Sequence, residues 1–169
     1  SLASSRDGTL AVLAKLAAQD EHVVVVDLSR NFGKEVAMTA GLDRAAGDAV
    51  VLIDADLQDP PELIAEFLDE WRRTGVDVVY GKRRSRAGES GTKKLSAHIF
   101  YRLMQQVGRV RIPEDTGDFR LMSRRAVIAL RQLRERNRFM KGLFAWIGFS
   151  QTEVLYDRDA RFAGRSKFN

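Results

Sequence analysis

The chain has 169 residues, 44% hydrophobic and 30% charged, which suits one soluble domain and excludes collagen, coiled-coil and disordered classes. It has no cysteine, so a disulfide framework, a thiolate metal site and a cysteine nucleophile are excluded, and His22 and His98 are too few for a histidine-rich metal site. With 28 Lys and Arg against 23 Asp and Glu, the net charge of +5 suits an anionic partner, whether a phosphate-bearing small molecule, nucleic acid or an anionic membrane surface.

Leu10, Leu13, Leu16 and Ala17 form a helical stripe behind the start signal Asp7-Gly8-Thr9. Residues 23–26, four valines, predict a short buried strand with His22 at its edge. Residues 33–46 predict a second helix, with Gly47 placed to end it. Residues 49–53 predict another buried strand, running into the acidic stretch 54–59. The helix predicted over 60–74 has Asp59 as its N-cap, Pro60 and Pro61 in its first turn, and Leu63, Ile64, Phe67, Leu68 and Trp71 on one face. Residues 76–80 predict a third strand. Strands alternating with helices at this spacing imply a parallel sheet with crossover helices, in which ligands gather at the carboxyl ends of the strands.

The second half is less regular. Residues 81–94 are basic and read as a loop, 95–107 as an amphipathic helix, and 119–122 as a strand. Ser123 is placed to cap a helix with Val127, Leu130 and Leu133 on one face. Phe139, Phe144 and Trp146, with Arg138 and Lys141, read as core or as a membrane-facing patch, and core is the commoner outcome for such a stripe. Residues 151–156 predict a strand and 158–169 a basic tail. No apolar run approaches the ~18–20 residues that a membrane-spanning helix requires.

Asp54-Ala55-Asp56 directly after a predicted strand offers two carboxylates at a strand end. Carboxylate oxygens are hard ligands suited to Mg²⁺ or Mn²⁺, and Mg²⁺ commonly takes one or two of them and completes its shell with water and substrate phosphate. The competing reading is that these acids only cap the next helix.

The stretch Asp54-Ala55-Asp56-Leu57-Gln58-Asp59-Pro60-Pro61-Glu62 closely resembles the motif of polyprenyl-phosphate glycosyltransferases. These are relatives of dolichyl-phosphate mannose synthase among inverting transferases of the GT-A fold. Four further stretches agree in order: Ser29 to Glu35, Gly41 to Asp48, Asp115 to Ser123, and Phe162 to Phe168. The resemblance implies an α/β, Rossmann-like GT-A fold with a mainly parallel central sheet flanked by helices. Ser5-Arg6-Asp7-Gly8-Thr9 matches a family segment, whereas the strand and base-holding segment that precede it in the family do not appear here. The expectation is therefore one catalytic core, residues 1–169, truncated at its N-terminal strand and belonging to a longer membrane-anchored protein.

The resemblance also implies roles. Asp56 holds the metal, Mg²⁺ or Mn²⁺, with Asp54 contacting the metal or the ribose and sugar and Gln58 near the donor. Lys34 and Arg83 are candidates for the donor, and Arg165, Lys167 and Lys94 for phosphate and acceptor. Asp118 matches the catalytic-base position. A polyprenyl phosphate with a second pKa of about 6 is already ionised at neutral pH, so Asp118 either abstracts a proton, positions the acceptor, or fixes a turn at residues 116–119. The implied partners are a UDP- or GDP-linked sugar, a polyprenyl phosphate, a membrane surface engaged through other segments, and in one case a second copy of the chain; nucleic acid is not expected. The implied location is the cytoplasmic face of a membrane, such as the bacterial inner membrane. A polysaccharide or protein acceptor, or a non-catalytic nucleotide-sugar-binding module, are the alternatives.

Overall fold

A computed structural model describes residues 8–56, 58–84, 116–133 and 140–157. The order is α1 (Thr9–Gln19), α2 (Lys34–Arg44), β1 (Ala49–Leu52), α3 (Leu63–Thr74), β2 (Val78–Arg83), β3 (Thr116–Ser123), α4 (Arg124–Gln132), α5 (Met140–Trp146) and β4 (Gln151–Tyr156). The helix predicted over 95–107, the tail 158–169, and Lys94, His98, Arg138, Phe139, Arg165 and Lys167 lie outside the described residues. The chain divides into two compact units, residues 1–46 with 131–140, and residues 47–130 with 141–169.

In the first unit, Gly8 at φ 75° opens α1 and its carbonyl accepts the Ala11 and Val12 amides. None of the α1 side chains is buried, so the apolar stripe is present without a cover among the described residues. Gly33, at φ 87°, precedes α2, and its amide donates to Asn31 Oδ1 at 2.9 Å. The helix ends at Arg44, two residues earlier than predicted, and the Arg131 guanidinium takes up the carbonyls of Leu42 and Ala45. A cation at a helix C-terminus satisfies acceptors that have no partner within the helix. The strand predicted over 23–26 does not form. These valines make no ladder beyond one bridge residue at Asp27, and Val24 is exposed. β-Branched residues favour a strand only where a neighbouring strand supplies hydrogen bonds and packing. His22 accordingly stands exposed in a turn, its Nδ1 2.9 Å from Asp20, and not on a strand edge.

The second unit is a four-stranded sheet in the order β1-β3-β2-β4. β3 lies antiparallel between β1 and β2, while β4 runs parallel to β2. The sheet is therefore mixed: β1, β2 and β4 share one direction, as the α/β reading requires, and β3 opposes them. The two strands predicted as parallel neighbours are separated because β3 pairs with both, Val51 and Val79 each opposite Leu121.

Alternation puts Phe119 and Leu121 on one face with Val79, Val154 and Tyr156. There Leu63 and Phe67 of α3 complete the core, with the Phe67 and Phe119 rings 4.6 Å apart and Tyr156 meeting Phe119 edge-on at 6.0 Å. Helix α3 starts at Leu63, not at residue 60. Leu63, Ile64 and Ala65 first donate three residues back, to Pro60, Pro61 and Glu62, so the two prolines form a tight turn ahead of the helix. In α5, Phe144 of that stripe is buried together with Met140 and Leu143, whereas Trp146 is 60% exposed, so its described aromatic residues divide between core and surface.

At the amino ends of β2 and β4, buried Asp77 gathers Ser123 Oγ (2.9 Å), Ser150 Oγ (3.1 Å) and the Arg125 guanidinium (3.0 and 2.5 Å). The Arg125 hydrogen bonds hold the Asp77 carboxyl below its usual range, against the opposing effect of burial. Ser123 also accepts the Ala126 amide at 3.2 Å and so caps α4 as its position predicted.

Candidate functional site

The opposite edge of the sheet collects the sequence-predicted chemistry. β1 ends at Leu52, opposite Arg120 of β3. Asp54 follows the carboxyl end of β1, and Asp118 lies near the start of the antiparallel β3, so both stand toward the same end of the sheet. Two acids 64 residues apart in the sequence thus come to one end of the sheet. Asp118 stands within β3 and not in a turn, because Thr116 pairs with Lys82 and draws Gly117 and Asp118 into the strand.

Asp54, Asp56 and Gln58 are half-buried, and the Gln58 amide donates to Asp56 Oδ1 at 3.2 Å, an Asx turn that folds the acidic loop back on itself. Asp59 is not the N-cap. Its side chain is 1% exposed and accepts the Tyr156 hydroxyl at 2.5 Å, which takes the carboxylate away from the helix start. Arg83 donates from Nε to the same hydroxyl at 3.4 Å, and another guanidinium nitrogen lies 3.0 Å from where a Cβ on Gly117 would stand. Burial first, and then the bond to Asp59, push the Tyr156 phenol above its usual range. It is a protonated donor at neutral pH.

On the face that carries Asp118, Arg120 is 5% exposed. Its guanidinium lies over the Phe144 ring at 3.8 Å and donates to the Gly117 carbonyl at 3.0 Å. Among the described residues its Nε has no hydrogen-bond partner. Burial pushes Arg120 down to about 10, while Asp118 and Tyr80 favour its charge, so it remains a cation at neutral pH.

Asp54, Asp56 and Gln58 follow the carboxyl end of β1, Arg83 ends β2 and Asp118 lies near the start of β3, so all five stand toward one end of the sheet. Lys34, exposed, opens α2 in the first unit. Lys94, Arg165 and Lys167 lie outside the described residues. Sequence reading missed Tyr156 and Arg120 and misassigned Asp59. The available signals were Tyr156 at the inward end of an alternating strand, and an arginine between Phe119 and Leu121, two core positions.

Oxygen-only donors at the strand end suit a hard divalent cation. No cluster of three or more His, Cys, Asp or Glu that could hold a metal occurs among the described residues, so the protein would contribute the Asp54 and Asp56 carboxylates and leave other coordination positions to water and phosphate. The oxygen donor set fits the cation that the sequence motif implies.

The family model for glycosyl transferase family 2 matches residues 3–131. The chain belongs to this family. Over 165 residues, 98% of the chain, this family 2 glycosyltransferase is 54% identical to an uncharacterized glycosyltransferase of Synechocystis and 46% identical to the bactoprenol glucosyl transferase of Shigella phage SfV. It is 44% identical, over the same share, to a prophage bactoprenol glucosyl transferase homolog of Escherichia coli K12. Those matches cover 52%, 53% and 54% of the relatives, so the chain spans about half the length of the curated relatives it matches. Glucosyl-3-phosphoglycerate synthase of Mycobacterium tuberculosis aligns with 96% of the chain and 60% of its own at 20% identity and a TM-score of 0.49, too loose an overlap to carry residues across.

Proposed function

We propose that this glycosyltransferase moves a hexose from a nucleoside-diphospho-sugar to a polyprenyl phosphate with inversion at the anomeric carbon. The observation that carries the reading is Arg83 set against Gly117, next to Asp118, at the end of the sheet where β1 runs into the Asp54–Asp56 loop. The phage relative's name, a bactoprenol glucosyl transferase, supports a lipid-phosphate acceptor.

An acceptor phosphate oxygen attacks the anomeric carbon, the new C–O bond forms opposite the departing diphosphate, and the old C–O bond's electron pair leaves with the nucleoside diphosphate. The sugar passes through an oxocarbenium-like state, as in glycoside hydrolysis. Asp54 and Asp56 would hold Mg²⁺ or Mn²⁺, whose charge stabilises the departing diphosphate. Arg83 supplies a fixed cation for phosphate oxygens, in the fork geometry suited to them. Asp118 orients the acceptor, which arrives already ionised. Lys34, Lys94, Arg165 and Lys167 complete the phosphate contacts in this reading. With a lipid-borne acceptor the reaction runs at the cytoplasmic face of a membrane.

The test is transfer from radiolabelled UDP- and GDP-sugars to a polyprenyl phosphate by the full-length protein, with and without chelator. The expected result is chelator-sensitive transfer that Asp56→Ala abolishes without unfolding the protein. Full activity in excess chelator would overturn the metal assignment. Transfer only to a polysaccharide or protein acceptor would overturn the lipid assignment.

A further inference from the structure

Three groups distant in sequence meet on the α3 face of the sheet edge. Asp59 comes from the acidic loop, Arg83 from the last residue of β2, and Tyr156 from the last residue of β4. Arg83 donates to the phenol oxygen at 3.4 Å, and the phenol donates to Asp59 at 2.5 Å. One hydroxyl therefore serves as acceptor for a cation and donor to an anion, a pairing that neither phenylalanine nor an aliphatic residue can supply. The ring is held from both sides. It meets Phe119 edge-on, and a Cβ at Gly81 would come within 2.8 Å of it, so only glycine at that position leaves room. The hydroxyl of a buried, close-packed ring has little freedom to turn elsewhere.

We propose that Tyr156 is a positioning residue of the transfer site, its hydroxyl tying the acidic loop to Arg83 and thereby setting the guanidinium against Gly117, beside Asp118. The proposal rests on the glycosyl-transfer reading above and adds the residue that orients its cation. Without the hydroxyl, Arg83 loses the acceptor that fixes its Nε, and its fork is free to swing from the phosphate position. Asp59 loses a donor to its buried carboxylate, and the loop carrying Asp54 and Asp56 loses an anchor three residues beyond Asp56. Residues that orient ligand-holding groups typically cost ~10–100-fold in activity when lost.

The experiment compares wild-type full-length protein with Tyr156→Phe, Arg83→Gln and the double variant. It measures kcat and KM with UDP-glucose and undecaprenyl phosphate, the UDP-glucose Kd by calorimetry, and thermal melting. The expected result for Tyr156→Phe is a 10- to 100-fold fall in kcat/KM, and a double variant whose loss is well below the product of the two single losses, because both changes remove the Arg83–Tyr156 hydrogen bond. Val154→Ala, in the same strand and packed on the same core, should lower the melting temperature and leave kcat/KM unchanged, which separates positioning from loss of structure. Tyr156→Phe kinetics within twofold of wild type, or losses that multiply in the double variant, would overturn the proposal. Should Tyr156→Phe not fold, Arg83→Lys keeps the charge without the fork: the same fall supports the proposal and wild-type kinetics overturns it. A wild-type protein that binds UDP-glucose but glycosylates no polyprenyl phosphate defeats the acceptor reading alone. Tyr156 is then judged on the Kd, which rises tenfold or more in Tyr156→Phe if the proposal holds and stays unchanged if it fails.

Discussion

Asp118 can act by two kinds of chemistry, and they differ in magnitude. A general base supplies ~10²–10⁴-fold, all of it lost with the carboxylate. A carboxylate that only orients an ionised acceptor is partly replaced by an amide, which keeps a hydrogen-bonding side chain of the same shape. Asp118→Asn is therefore expected to lower kcat less than 100-fold, and its rate should keep an acidic limb near the acceptor's pKa of about 6. The check is kcat against pH for both proteins with a polyprenyl phosphate. A thousand-fold loss together with a vanished acidic limb would assign proton abstraction to Asp118. Asp54 and Asp56 stood out as acids directly after a predicted strand, and Asp118 through the resemblance of residues 115–123 to a family motif. Asp59 was misread because an acid ahead of two prolines has the look of a cap, and only the fold brings the Tyr156 hydroxyl to it from 97 residues away.

Among the elements, α3, α4 and the four strands of the sheet were each read from the sequence, and the misreadings have a physical cause. α3 and α4 show apolar spacing that is complete within each segment, whereas a strand depends on a partner outside it. Four valines at 23–26 have the composition of a strand and no ladder, while Gly117 and Asp118 have the composition of a turn and belong to β3 because Lys82 and Leu52 flank them. Packing energetics follow the realised partners. Phe67 is fully buried between α3 and the sheet, so Phe67→Ala should cost about 3–5 kcal/mol, measured by denaturant unfolding. At the other edge, Asp77 joins β2, β3 and β4 through its serine and arginine partners. Its folded pKa lies below the ordinary 3.8, so the stabilisation is complete above that value and is lost as pH falls through the folded pKa. The melting temperature should fall on acidification below about pH 4. Asp77→Asn, melted over the same range, should show a shallower fall and a lower plateau near neutrality.

For the molecule as a whole, the +5 charge and the burial of Met140, Leu143 and Phe144 point to surface attraction without insertion. No described helix is long and apolar enough to cross a membrane. The 169-residue chain should bind anionic liposomes weakly and release them as salt rises, since exposed charges are screened over ~10 Å at 0.1 M salt. Co-sedimentation across a salt series measures this, and tight binding that persists at high salt would mean that apolar side chains such as Trp146 enter the bilayer.

The place of β3 between β1 and β2 has a consequence for how the chain is made. Translation delivers β1 and β2 first, and both find their shared partner only when residues 116–123 have been added, so the two earlier strands wait with open backbone edges. Closure over so long a separation is slow, and waiting edges invite association with other chains. A nascent chain halted at residue 115 should therefore be cut by a dilute protease within β1 and β2, whereas in one extended past residue 157 those strands should resist.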